Sequence, residues 1–165
     1  MYQSWLLLAV AGIGPGASGD VTWQSDYGVA RKAAAKERKP LVVVIGSGLT
    51  GYNKLAREGV LKDEARRLLT DQYVCLYLDT LTPAGGRQAR AFPVGDLGIV
   101  ISDRSGVFQA FRHEGDLSNR ALVTYLQRYA DPTRVFQATE SNPTNHASYY
   151  SPPAGPAISR PANTT

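Results

Sequence analysis

The sequence predicts an α/β domain, a three-layer sandwich in which a mixed sheet carries helices on both faces. Three observations predict it. The continuous apolar runs Leu41–Ile45 and Tyr73–Leu78 have the length and composition of strands buried on both faces. A stretch of helical periodicity joins them, which makes a β-α-β unit with parallel strands. Further on, Gly98–Ser102 and Val107–Phe111 flank Asp103-Arg-Ser-Gly106. With Asp first and Gly last, that tetrapeptide suits a type I turn, so the sheet closes with an antiparallel hairpin.

Each element follows in order. Tyr27 to Lys39 is helical in composition, with Ala30, Ala33 and Ala34 on one face, and Pro40 ends it. Leu41–Ile45 is the first buried strand. A glycine-bearing loop comes next, then a helical pattern through Leu55, Leu61, Ala65, Leu68 and Leu69, with Gly59 as a kink. Tyr73–Leu78 is the second buried strand, and a short helix precedes the hairpin. Ser118 caps the final helix, Leu117 and Leu122 are placed as a hydrophobic staple, and Leu122, Tyr125, Leu126 and Tyr129 form its core face.

The chain has 165 residues, enough for one domain with attachments. Its single cysteine, Cys75, excludes an internal disulfide and a Cys-rich zinc site. Two histidines, His113 and His146, argue against a His-built metal centre; no metal and no cofactor are expected. The net charge of +4 gathers in Arg31, Lys32, Lys36, Arg38 and Lys39, offset by Glu37. This reads as a solvated helix whose last turn carries cations that suit the helix dipole. A nucleic-acid partner is not expected, because phosphate tracking asks for a wider basic face with stacking aromatics.

The ends differ from the middle. Residues 1–19 carry no charge, and their apolar run, Trp5–Ile13, is far short of the ~20 residues that span a membrane. With Ala17-Ser18-Gly19 behind it, the run reads as a signal peptide cleaved before Asp20, hence a periplasmic or secreted protein without a stable membrane anchor. No Lys or Arg precedes the run, so a misassigned start codon or the N-terminal tail of a cytoplasmic protein also fit. Six of the ten prolines lie beyond Asp131, among Ser, Thr, Asn and Ala. Residues 132–165 therefore read as a Pro/Ser/Asn-rich tail, disordered from about 135 onward. The domain is residues 20–131.

Gly46-Ser-Gly48-Leu-Thr-Gly51 lies between a strand and a helical pattern, the context of the dinucleotide fingerprint. That fingerprint expects an acid about 20 residues later, at the end of the next strand. The acid closing that strand here, Asp79, comes 28 residues after Gly51. The chain also enters a hairpin where a dinucleotide domain continues with parallel units. Nucleotide binding at Gly46–Gly51 is kept as an alternative function.

A second reading comes from resemblance. Trp23, Asp26-Tyr-Gly-Val-Ala30 and Ala33-Ala-Ala-Lys-Glu-Arg-Lys39-Pro40, leading into Leu41-Val-Val-Val, resemble the opening of thioredoxin-like domains. The resemblance covers about residues 21–130 and includes the order of elements, so it implies a thioredoxin-like fold. The family's Cys-Gly-Pro-Cys falls on Thr50-Gly51-Tyr52-Asn53, with both cysteines absent. Thiol-disulfide exchange needs both, one thiolate to attack and the second to resolve the mixed disulfide. The family's cis-proline falls on Gly98, with Pro93 five residues too early.

What the resemblance implies is a redox-inactive module that binds an unidentified protein or peptide through Thr50, Gly51, Tyr52, Asn53 and Gly98. Tyr52 is either an exposed anchor, as interfaces use, or a ring packed on the helix start. Cys75, between Val74 and Leu76, reads as a small core hydrophobe. Oxidoreductase activity through that one thiol is the enzymatic alternative. His113-Glu114-Gly115 follows the hairpin with no nucleophile near it in sequence, and reads as a loop histidine.

Overall fold

Alternation along two adjacent strands sets the architecture. The structure, a computed structural model, describes residues 20–141. The signal-peptide reading of residues 1–19 and the tail reading beyond 141 lie outside the described residues. In chain order the elements are β1 (Trp23–Gln24), α1 (Tyr27–Glu37), β2 (Leu41–Gly46), a 3-10 turn (Gly51–Leu55) and α2 (Asp63–Gln72). There follow β3 (Val74–Asp79), α3 (Pro83–Ala89), β4 (Gly98–Ser102), β5 (Gln109–Glu114), α4 (Asn119–Ala130) and β6 (Glu140–Ser141). The sheet order is β1-β3-β2-β4-β5-β6. Strands β1 and β2 run parallel to β3, the β2–β4 and β4–β5 pairs are antiparallel, and β6 runs parallel to β5.

Every residue of β2 is buried. Leu41, Val43 and Ile45, with Val74, Leu76 and Leu78 of β3, pack against Ala30 and Ala34 of α1 and Ala89 of α3. Val42, Val44 and Cys75 turn the other way, toward Ala65 and Leu69 of α2 and Leu122, Leu126 and Tyr129 of α4. The predicted mixed sheet with helices on both faces is the fold observed. Ser118 caps α4 through the Ala121 N–H (3.2 Å), and the predicted staple pair Leu117 and Leu122 is buried in one cluster.

Four local expectations change. Helix α1 stops at Glu37, because Arg38 takes a left-handed φ of 55° and its N–H returns to the Ala34 carbonyl. The segment from Leu55 to Leu69 is not one kinked helix. The 3-10 turn ends at Leu55, Gly59 has a φ of 75°, and α2 begins only at Asp63. The cause is a tertiary contact with Asn119, which is 4% exposed at the start of α4. Its Nδ2 donates to the Glu58 carboxylate (2.8 Å) and the Val60 carbonyl (3.0 Å), and its Oδ1 accepts from the Lys62 N–H (2.9 Å).

The hairpin turn forms as read, the Gly106 N–H donating to the Asp103 carbonyl (3.1 Å). Its second strand is displaced, however: β5 starts at Gln109 and runs on through Glu114, with a register shift at Ile101/Ser102. His113 therefore belongs to a strand rather than a loop. Finally, the tail reading is too long. Residues 135–141 are not free of the domain, since Phe136 packs 5.1 Å from the Tyr129 ring and β6 pairs with β5.

Replacing Asn119 by Ala leaves the Val60 carbonyl and the Lys62 N–H without their partner, while the Glu58 carboxylate keeps only the backbone N–H of residue 119 (3.0 Å). Urea unfolding of Asn119→Ala is expected to show a loss of about 1–3 kcal/mol; a loss below ~0.5 kcal/mol, the range of ordinary surface changes, would show that this contact does not hold the 56–62 segment.

Candidate loop site at the end of the parallel strands

Strands β2 and β3 end side by side, Gly46 beside Asp79. The chain leaves them in two loops, residues 47–50 and 80–82. One carboxylate ties the loops together: Oδ1 of Asp79 accepts the N–H of Gly48 (2.8 Å) and that of Leu81 (3.0 Å). The Gly46 carbonyl adds a second tie, taking the N–H (2.8 Å) and hydroxyl (3.1 Å) of Thr80. Beneath them the Tyr77 hydroxyl donates to the Gly48 carbonyl (2.6 Å). Burial, reinforced by the negative charge of Asp79, pushes that hydroxyl up to about 12.

Glycine is required twice here. Gly48 has a φ of 88°, where L side chains are strained. Gly51 lies against the Tyr77 hydroxyl so closely that a Cβ would overlap it. With the loop held this way, two leucines face solvent on neighbouring loops, Leu49 at 91% exposure and Leu81 at 74%.

The residues on which the resemblance lays the thioredoxin motif are divided by this geometry. Thr50 is exposed, Gly51 is buried, and Tyr52 and Asn53 are half-buried. The Tyr52 ring stacks on Trp23 at 5.0 Å and meets Tyr77 edge-on at 5.5 Å. It packs at the helix start, the second of its two readings. Oδ1 of Asn53 turns inward and has no partner among the described residues. Gly98 is buried in β4 opposite Ile45 and Glu114, with Val94 and the His113 carbonyl against it. It shares the α1/α3 face of Ile45, whereas Tyr52 packs with the α2/α4 cluster. Gly98 thus belongs to the face of the sheet opposite the one on which Tyr52 packs, and, being buried, it offers no contact surface.

The phosphate cradle of the dinucleotide reading does not form. The Gly48 N–H is taken by Asp79 and the Gly51 N–H by the Gly48 carbonyl (3.0 Å). A five-residue 3-10 turn stands where an α-helix should begin, and the Asp79 carboxylate occupies the position facing the loop. The other candidate groups lie inside the domain. Cys75 is 4% exposed in mid-strand, its Sγ 3.5 Å from the Leu69 carbonyl, and burial pushes the thiol up to about 12. His113 is equally buried; its Nε2 hydrogen-bonds the Asp116 carbonyl (3.0 Å), and Nδ1 meets no partner among the described residues.

Sequence reasoning missed Asp79 as the tie between loops, Tyr77 as the reason for Gly51, and Leu49 and Leu81 as the exposed pair. A signal for Tyr77 was present: Tyr73, Cys75 and Tyr77 recur with period two, which puts a tyrosine on the face that carries the following turn.

The architecture is shared with the solution structure of a thioredoxin from Thermus thermophilus. The two are 22% identical over 66% of this chain and 86% of that one, with a TM-score of 0.52. At that identity the likeness is one of fold, and the fold is thioredoxin-like. No protein-family model matches the chain, and no curated protein sequence matches it.

Two outcomes test this geometry. Gly51→Ala is expected to cost about 1–3 kcal/mol by overpacking, and most of the loss should disappear when Tyr77→Phe removes the opposing hydroxyl. Equal costs in both backgrounds would mean that the hydroxyl is not what excludes a side chain. Because its acidity is suppressed by burial, Cys75 should react with iodoacetamide at pH 8 at least a hundredfold more slowly in the native protein than in urea. Comparable rates would mean that the thiol is accessible.

Proposed function

We propose that this thioredoxin-like domain is a non-catalytic binding module that receives an extended protein segment at the 47–50 and 80–82 loops. The observation that carries the reading is the pair Leu49 and Leu81, both open to solvent and presented together by the Asp79 carboxylate. Solvent-exposed leucines on loops pinned by a common acceptor form a preordered apolar contact, with little entropy left to lose on binding. The chemistry at the same end agrees. The resemblance lays Thr50 and Asn53 on the positions of the family's cysteines, and the one thiol of the chain, Cys75, is in the core.

The module is read as acting outside the cytoplasm. That part of the proposal rests on Trp5–Ile13 followed by Ala17-Ser18-Gly19, which have the make-up of a cleavable leader. The intact mass of the protein recovered from its native cell is the test: a chain beginning at Asp20 supports export, and a retained Met1–Gly19 segment overturns it.

Binding is tested by selecting displayed extended peptides on the purified domain and remeasuring the selected ones with loop variants. Leu49→Asp and Leu81→Asp are each expected to lower affinity at least fivefold, about 1 kcal/mol, without lowering the melting temperature. Tyr52→Ala is expected to lower the melting temperature instead, since its ring is packed. Selected peptides that bind both aspartate variants as tightly as the parent would end the proposal.

A further inference from the structure

Beyond α4 the chain doubles back along the outer edge of the sheet. Asp131 starts the reversal, its Oδ1 accepting the N–H (2.8 Å) and hydroxyl (2.7 Å) of Thr133. Phe136 then lies on Tyr129, and the Thr139 hydroxyl donates to the Gln109 carbonyl of β5 (2.7 Å). Glu140 and Ser141 pair with Phe111 and Arg112. Two residues of strand do not hold themselves on a sheet edge. What closes the segment is the Glu140 carboxylate, which accepts the Tyr129 hydroxyl (2.7 Å) and pairs with Arg128 (2.6 Å) and Arg134 (3.6 Å).

The covered strand is suited to pairing with itself. The Gly115 N–H donates to the Leu97 carbonyl on the β4 side (2.8 Å). By the alternation of an antiparallel ladder, the backbone groups of Arg112 and Glu114 then point outward, to the free side of β5. Set against a second β5 about a two-fold axis through His113, Arg112 of each copy falls opposite Glu114 of the other. Outward-pointing backbone groups and opposite charges meet in the same register, and the contact closes on itself. The Phe111–Arg112 stretch of that edge is the part that β6 occupies.

We propose that residues 132–141 are a clasp latched by Glu140, and that the β5 edge it covers is a dimerisation edge for a second copy of this chain. With the clasp closed the chain is a monomer, because β6 and a second β5 compete for the same backbone groups. Opening it exposes an edge strand, which recruits another strand.

The test uses the full chain and sedimentation equilibrium at micromolar concentration. The parent is expected to be monomeric. Glu140→Lys, which sets a cation among Arg128 and Arg134, is expected to strengthen dimerisation at least tenfold. Adding Arg112→Glu should abolish the dimer, and adding Glu114→Arg as well should restore it. Should Glu140→Lys fail to fold, Glu140→Gln is used, with hydrogen exchange of the Arg112 amide expected to rise at least tenfold at concentrations where the chain is monomeric. A parent that is already dimeric, an opened variant that stays monomeric, an unchanged Arg112 exchange rate, or a dimer indifferent to the charge swap would each overturn the proposal.

Discussion

The pairing of β2 with β3 is the constraint on which the rest of the domain depends. Six consecutive buried residues in β2 have no solvent face, so apolar layers must cover both sides of the sheet. Alternation then assigns the partners: Leu41, Val43 and Ile45 to α1 and α3, Val42 and Val44 to α2 and α4. Alanines at 30 and 34 let α1 lie close to the sheet, while the opposite face takes larger groups, Leu122, Leu126 and Tyr129. Cys75 falls within this pattern as one more inward residue of β3, and its suppressed acidity is a consequence of the position rather than a device for chemistry.

The same pairing brings two loop starts together at the end of the sheet, where the glycines are used for closeness rather than for a ligand. Gly51 makes room for the Tyr77 hydroxyl, Gly48 turns the chain, and the freed N–H groups go to Asp79 and to the loop itself. A glycine pattern that elsewhere leaves backbone donors open for phosphate is here satisfied internally, because the Asp79 carboxylate takes the Gly48 N–H and the Gly48 carbonyl takes that of Gly51. Leu49 and Leu81 are exposed because the loop backbone is already spoken for beneath them.

At the β5 edge of the sheet the chain returns after α4. Helix α4 ends with Arg128 and Tyr129 on the side where the chain returns, and Glu140 comes back to meet both. Tyr129 is thus a hinge between core and edge: its ring stacks at 5.1 Å from Phe111 within the domain and carries Phe136 on its other side. Composition argues for a solvated tail from Pro132 onward. A few specific contacts outweigh it as far as Ser141.

By itself the sequence determined the layers. Hydrophobic period, turn chemistry and caps are local properties, and they placed both central strands, the Asp103–Gly106 turn, the Ser118 cap and the core face of α4. Only the tertiary structure decided where the 55–69 helix breaks, how far β5 runs, and which way Tyr52, Gly98 and His113 face. Each of those depends on a partner far along the chain: Asn119 for the 58–62 segment, β4 for His113, Trp23 and Tyr77 for Tyr52. The site divides in the same way. Its loop was legible from glycines after a strand, but its ties were not, since a carboxylate 31 residues from Gly48 becomes a neighbour only when β2 and β3 lie side by side.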